Sequence, residues 1–247
     1  MMRRKYLGWI VAALTFCGSA ALIASQGFSL INGAFDFYQK THDAFFQKKA
    51  EDNLHVIYTG TSIKYIESIF GPPIKESHNK EKQINQYLYS FKKFYLQIVF
   101  DDSNTVIFYA VTSKDLDFHP SIPYLNSQLG FNFTHYGEDD TFLYSDYSSK
   151  FYEYAEYHYL GNPGNYRNFY LAYNPAGVDY QALQPLPDMM NDEKSPPKQA
   201  DLKAFRKQNA PNTFAVGDIN GNPEGPEMYF GIGIGYYDAR DIPDKDD

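Results

Sequence analysis

Cysteine is nearly absent from this chain: Cys17 is the only one among 247 residues, and it lies inside an apolar run near the start. The rest of the chain therefore forms no disulfide within itself and offers neither a thiolate metal site nor a thiol nucleophile. Tryptophan is equally scarce. Trp9 sits in the same run, which removes the ring best suited to stacking on a cation or a base. Positive charge is in deficit, since 22 Lys and Arg stand against 30 Asp and Glu for a formal net charge of -8. That balance leaves no basic face to displace counterions from phosphates, so nucleic acid is ruled out as the partner class.

The common catalytic motifs are missing too. Neither His-Glu-x-x-His nor Gly-x-Ser-x-Gly occurs, and Gly231, Gly233 and Gly235 do not have the Gly-x-Gly-x-x-Gly spacing of a dinucleotide loop. Asp218, Asn220 and Asn222 begin like a calcium loop, but Pro223 replaces the turn glycine and Tyr229 the closing glutamate. His119, His135 and His158, with Asp139 and Asp140, are the groups that could converge from separate loops on a metal or a general base. Their spacing does not join them, so the sequence assigns no catalytic, cofactor-binding or metal-ligating residue and no cofactor.

What is present is apolar and aromatic. Apolar residues make up 43% of the chain, with 23 Tyr and 20 Phe, enough to build a core in one or two domains and to exclude disorder of the whole. Arg3, Arg4 and Lys5 precede an uncharged run from Tyr6 to Phe35. About 20 helical residues cross a bilayer, so the run predicts a transmembrane helix, with the basic cluster holding the N-terminus in the cytoplasm and the remainder exported. Cleavage near Ala21 to Ser25 is disfavoured because the apolar run continues through Phe28, Leu30 and Ile31, and lipidation at Cys17 because bulky Phe16 precedes it. Phe35, Tyr38, His42, Phe45 and Phe46 then recur at helical spacing, as in an amphipathic helix at the membrane surface.

In "TSIKYIESIFGPP" a helix is predicted over Ser62 to Phe70, capped by Thr61, buried through Ile63, Ile66, Ile69 and Phe70, and stopped by Gly71 and Pro72. The period then changes to alternation in "YLYSF", "FYLQIVF" and "TVIFYAV", a three-stranded antiparallel meander with hairpins at Lys92-Lys93 and Asp101 to Asn104. "FYEYAEYHYL" and "YRNFYLAYN" form a second, Tyr-rich antiparallel pair, the intervening Leu116 to Lys150 reads mostly as loop, and "EMYFGIGIGYYD" reads as a final strand. Between them, the Pro-rich charged stretch around Pro185 to Pro211 reads as extended, with a helical turn or two at Ala200 to Gln208.

The order "TGTSIKYIESIFGPP", "YLYSF", "FYLQIVFDDSNTV", spanning Ile57 to Val111, resembles the SmpA/OmlA (BamE-like) family of small exported lipoproteins of Gram-negative bacteria. The resemblance implies a helix packed on an antiparallel meander and a role in envelope assembly. The resulting expectation is an α+β chain: a cytoplasmic tip and transmembrane anchor (1–35), a juxtamembrane amphipathic helix (36–55), the BamE-like module (56–117), a Tyr-rich β region (118–183), a Pro/charge-rich segment (184–212), and a terminal strand with an acidic tail (213–247). The expected function is a non-catalytic interaction or envelope-assembly module on the periplasmic side of a bacterial inner membrane, with the membrane and another envelope protein as partners. A metal-assisted hydrolase with dispersed His and Asp ligands is the competing expectation.

Overall fold

The computed structural model describes residues 45–137, 142–147, 150–159, 168–180, 199–217 and 230–243. The chain divides into two units, Met1–Lys49 and Ala50–Asp247. Of the first only 45–49 are described, in a helix α1 that runs over 45–52. The second is α+β: α2 (Ile63–Phe70), β1 (Lys75–Asn79), β2 (Ile84–Ser90), β3 (Phe94–Asp101), β4 (Val106–Ser113), a small hairpin of β5 (Ser121–Ile122) and β6 (Ser127–Gln128), β7 (Phe142–Tyr147), β8 (Tyr152–Tyr159), β9 (Asn168–Tyr173), α3 (Gln199–Gln208), β10 (Thr213–Gly217) and α4 (Tyr236–Asp241).

Several sequence expectations about the fold are corrected. Instead of two separate β regions, one antiparallel sheet has the order β1-β2-β3-β4-β10-β9-β8-β7. The meander of the first half and the Tyr-rich strands of the second start from opposite edges and meet at β10, whose Ala215 pairs with Ala110 on β4 and Tyr170 on β9. The second correction concerns the transmembrane helix. Among the described residues no helix is long and apolar enough to cross a membrane, and the run from Tyr6 to Phe35 lies outside them.

The pairing register assigns every core side chain to a face. Directly opposed residues share a face, so Tyr89, Leu96, Val111, Phe214, Leu171 and Glu156 form one row across the sheet. Both longer helices cover that side. Phe70 of α2 meets Tyr89 and Phe91 at ring-centroid distances of 6.1 and 6.0 Å, and Phe205 of α3 meets Tyr152, Tyr154 and Tyr173. Ile63, Ile66 and Phe70 of α2 are buried as their spacing predicts, whereas Ile69 is half-buried. Ser62, not Thr61, is the N-cap, and Gly71 closes the helix at φ 72°, ψ -165°, a backbone region open to glycine alone.

The opposite face carries smaller residues. Its rows are Leu88, Gln97, Ala110, Ala215, Tyr170 and Tyr157, and Tyr95, Thr112, Thr213, Ala172 and Ala155. Residues 230–235, expected as a strand, instead lie over this face as a strap with no strand pairing. Ile232 is buried with Val99, Phe108 and Tyr170, and Ile234 with Leu88 and Tyr95. Beyond the strap, α4 reaches Lys75 on β1 through Asp238 and Phe151, just ahead of β8, through Tyr236. Six strand spacings would separate β1 from β8 by roughly 29 Å in a flat sheet, far beyond a helix about 9 Å long. The sheet therefore curls around the strap.

Candidate functional site

Between β4 and β7 the chain leaves the sheet for residues 114–137, and among the described residues this excursion holds three of the second unit's exposed large hydrophobics. Leu116, Tyr124 and Phe131 are 64%, 55% and 44% exposed. The β5–β6 hairpin turns through "PYLN", where Tyr124 and Asn126 adopt φ of 69° and 49°. A bulky aromatic in the left-handed region is strained, because its Cβ crowds the following carbonyl. Beside the turn, Ser121, Ile122, Asn126, Ser127, Gln128, Phe131 and His135 line an open cleft of about 410 Å³. That volume falls in the range of small-molecule or side-chain sockets.

Within the cleft the imidazole of His135 stacks on Phe131 at 4.2 Å, and its Nε2 lies 3.3 Å from Ser127 Oγ. The pair forms a polar wall of the cleft. His119 lies elsewhere, with Ser113, Asp115 and Asp179 around a second cavity of about 100 Å³, and His158 sits on β8 against Glu156. The structure thus puts the three candidate histidines in three places, and among the described residues no group of three His, Cys, Asp or Glu could hold a metal. Asp139, Asp140 and the Asp218 to Asn222 stretch lie outside the described residues.

The excursion is fastened by a pair that sequence reasoning missed. Glu156 and Arg206 are 1% and 2% exposed, and Arg206 Nε donates to Glu156 Oε1 at 2.6 Å. The Tyr154 hydroxyl donates to the same oxygen at 2.6 Å, and His158 Nε2 lies 3.3 Å from Oε2. Arg206 Nη2 donates to the carbonyls of Gly137 at 2.6 Å and Phe133 at 3.4 Å while also reaching Glu156 Oε2 at 3.4 Å. One guanidinium therefore ties β8, α3 and the end of the excursion together, and buried Phe133 packs edge-on against Tyr154. The signal was available as parity: Tyr152, Tyr154, Glu156 and His158 alternate onto one face, so a carboxylate there must be buried and needs a cation.

Burial sets the ionisation of the aromatic core. It raises the phenols of Tyr89, Tyr109 and Tyr152 well above their ordinary value of 10.0, and for Tyr154 the Glu156 carboxylate adds to burial. Folded-state values above unfolded ones favour the unfolded chain as soon as its tyrosines ionise. Stability should be unaffected by these groups below pH 10.0 and fall steadily above it. Urea midpoints measured between pH 8 and 11 check this, and a midpoint that stays level above pH 10.0 would contradict the burial of these hydroxyls.

Comparison with protein families, with curated proteins and with solved structures finds no match to this chain.

Proposed function

We propose that the chain is a non-catalytic interaction module of the bacterial cell envelope, positioned on the exported side of the inner membrane, and that residues 114–137 meet its partner. The observation that carries this reading is Tyr124, an aromatic held at φ 69° yet 55% exposed. Strain of this kind costs about 1–3 kcal/mol and persists where the surrounding structure over-determines it, typically at functional surfaces. Exposed aromatics beside a partly polar cleft are also the residues that dominate binding energy when a partner covers them. The envelope setting is supported by Arg3, Arg4 and Lys5 ahead of an uncharged run, and by the resemblance carried by "TGTSIKYIESIFGPP".

The test places a photo-crosslinking residue at Phe131 and, as a comparison, at Tyr65, which is 48% exposed on α2. In intact cells the reading expects a discrete adduct from position 131 and none from position 65. The same adduct pattern from both positions would remove the excursion as the recognition element. For location, alkaline phosphatase fused at the C-terminus should be active and green fluorescent protein dark, and the reverse result would overturn export.

A third variant separates strain from recognition. Tyr124→Gly relieves the left-handed backbone and should raise stability by up to about 1 kcal/mol, while the adduct from Phe131 weakens. Urea unfolding checks the first half. Lower stability in Tyr124→Gly would mean that the ring contributes more to the fold than its backbone costs.

A further inference from the structure

The strap is held to the sheet by buried side-chain amides. Gln97 Nε2 donates to the carbonyls of Gly231 at 3.3 Å and Phe230 at 3.5 Å, and Gln97 Oε1 accepts from the amide of Gly233 at 2.8 Å. Asn174 Nδ2 donates to the carbonyls of Ile232 at 3.1 Å and Ile234 at 3.0 Å. Side-chain amides thus read the strap's backbone, and they are positioned from behind. Gln97 also donates to Gln86 Oε1 at 2.7 Å, while Asn174 and Asn212 exchange two bonds of 2.8 and 2.9 Å. Gln97, Asn174 and Asn212 are 1%, 0% and 4% exposed, so this is a buried polar row that shares the groove with Thr112, Thr213 and the apolar residues around them.

The groove also specifies what enters it. Ile232 and Ile234 fill apolar sockets on either side of Gly233. Gly233 has φ 82°, and a Cβ there would stand 2.7 Å from Thr112 Oγ1 and 3.1 Å from Asn174 Nδ2. The side chains recognise an apolar-glycine-apolar segment with its glycine in the left-handed region, and the recognition does not depend on the covalent route by which the segment arrives. The route itself is long. Residues 218–229 join β10 to the strap, and a dozen residues span up to roughly 40 Å when extended.

We propose that the concave face of the sheet is a docking groove for an apolar-glycine-apolar segment, and that two copies of this chain fill each other's grooves by exchanging residues 230–243. The groove's amides pair with the strap's backbone, holding the carbonyls of Phe230, Gly231, Ile232 and Ile234 and the amide of Gly233. The segment shown to satisfy them is this chain's own, so a second copy presents a matching occupant. Exchange conserves the strap's contacts with the groove, so concentration decides between the two arrangements.

The clip between Lys75 and Asp238 permits a test with surface residues alone. The two side chains are 41% and 33% exposed and lie 2.5 Å apart. A Lys75→Asp chain and an Asp238→Lys chain each oppose like charges when the strap folds back on its own groove. After reciprocal exchange between the two, both clips pair opposite charges. Full-length chains bearing different affinity tags are mixed at about 100 µM, incubated, and captured through one tag, with light scattering for mass. The proposal expects mixed dimers about threefold more abundant than in a wild-type mixture, and a return to the wild-type level when Gly233→Val is added to the Asp238→Lys chain. Monomers throughout, or mixed dimers unaffected by Gly233→Val, would overturn it. A second measurement needs no charge variant: differently tagged wild-type chains incubated together should yield slow cross-capture, and its absence at this concentration would also overturn the exchange.

Discussion

Arg206→Met should lower the free energy of unfolding by about 3–5 kcal/mol, the cost of leaving a buried carboxylate without its cation. The arrangement around Glu156 explains why this should be among the most damaging single changes. Glu156 is 1% exposed and shares the helix-covered face with Phe214 and Leu171, so water does not replace the guanidinium. The Tyr154 hydroxyl and His158 remain beside it, but neither carries a fixed positive charge. The same substitution releases the carbonyls of Phe133 and Gly137, so the end of the 114–137 excursion loses its tie to β8. Urea unfolding should show the loss, and the Glu156→Gln/Arg206→Met double variant should recover part of it because no unpaired charge is left. A single-variant midpoint equal to wild type would mean that the pair is open to solvent.

Phe70→Ala should cost a similar amount, about 3–5 kcal/mol, through a different mechanism. Its ring is fully buried and lies between α2 and the aromatic row of Tyr89, Phe91 and Phe94, in which Phe91 stacks on Phe94 at 4.7 Å. Removing the ring opens a cavity bounded by residues of α2, β2 and β3, and strands fixed by ladder hydrogen bonds do not collapse into it. Gly71→Val should also destabilise, by about 2 kcal/mol, since φ 72° and ψ -165° are closed to a β-branched residue. Lys64→Ala, exposed on the same helix, is the control and should stay within about 0.5 kcal/mol. A Phe70→Ala midpoint matching that control would show that α2 does not seal the sheet.

The parts of the fold that could be read from the sequence are those in which local pattern and tertiary role coincide. In α2, β2, β3, β4, β8 and β9 large apolar residues recur at the period of the element, and the helix stop at Gly71-Pro72 is a local steric event. β1 was invisible because "KESHN" is an edge strand, whose charged and polar residues protect it from pairing with other chains. β10 was invisible for the opposite reason: all five residues of "TFAVG" are buried, so no alternation marks them. The strap was misread because glycine at every second place imitates a strand, whereas Gly231 and Gly233 at φ of 70° and 82° break the strand geometry.

For the site, composition could not bring Glu156 and Arg206 together, because fifty residues separate them and only the β8–β9 register with the return of α3 makes them neighbours. The histidines misled in the other direction. His119, His135 and His158 are spread over two cavities and a strand, positions that no spacing rule encodes. Tyr124 gave no sequence signal beyond Pro123 before it, since a strained backbone is a property of the closed hairpin.

The central position of β10 has a consequence for synthesis. Ala110 of β4 waits for Ala215, which leaves the ribosome more than a hundred residues later. At elongation rates of about 5–20 residues per second that interval lasts roughly 5–20 s. During it the nascent first half displays "VIFYAVTS", a strand apolar from Val106 to Val111 with its outer hydrogen-bonding edge unfilled. The order of manufacture therefore makes the middle of the finished sheet its most aggregation-prone border while the chain is being made. Ribosomal stalling before Thr213 would yield a fragment that seeks other strands, so this protein's yield should depend on translation speed and chaperone supply more than on its final stability.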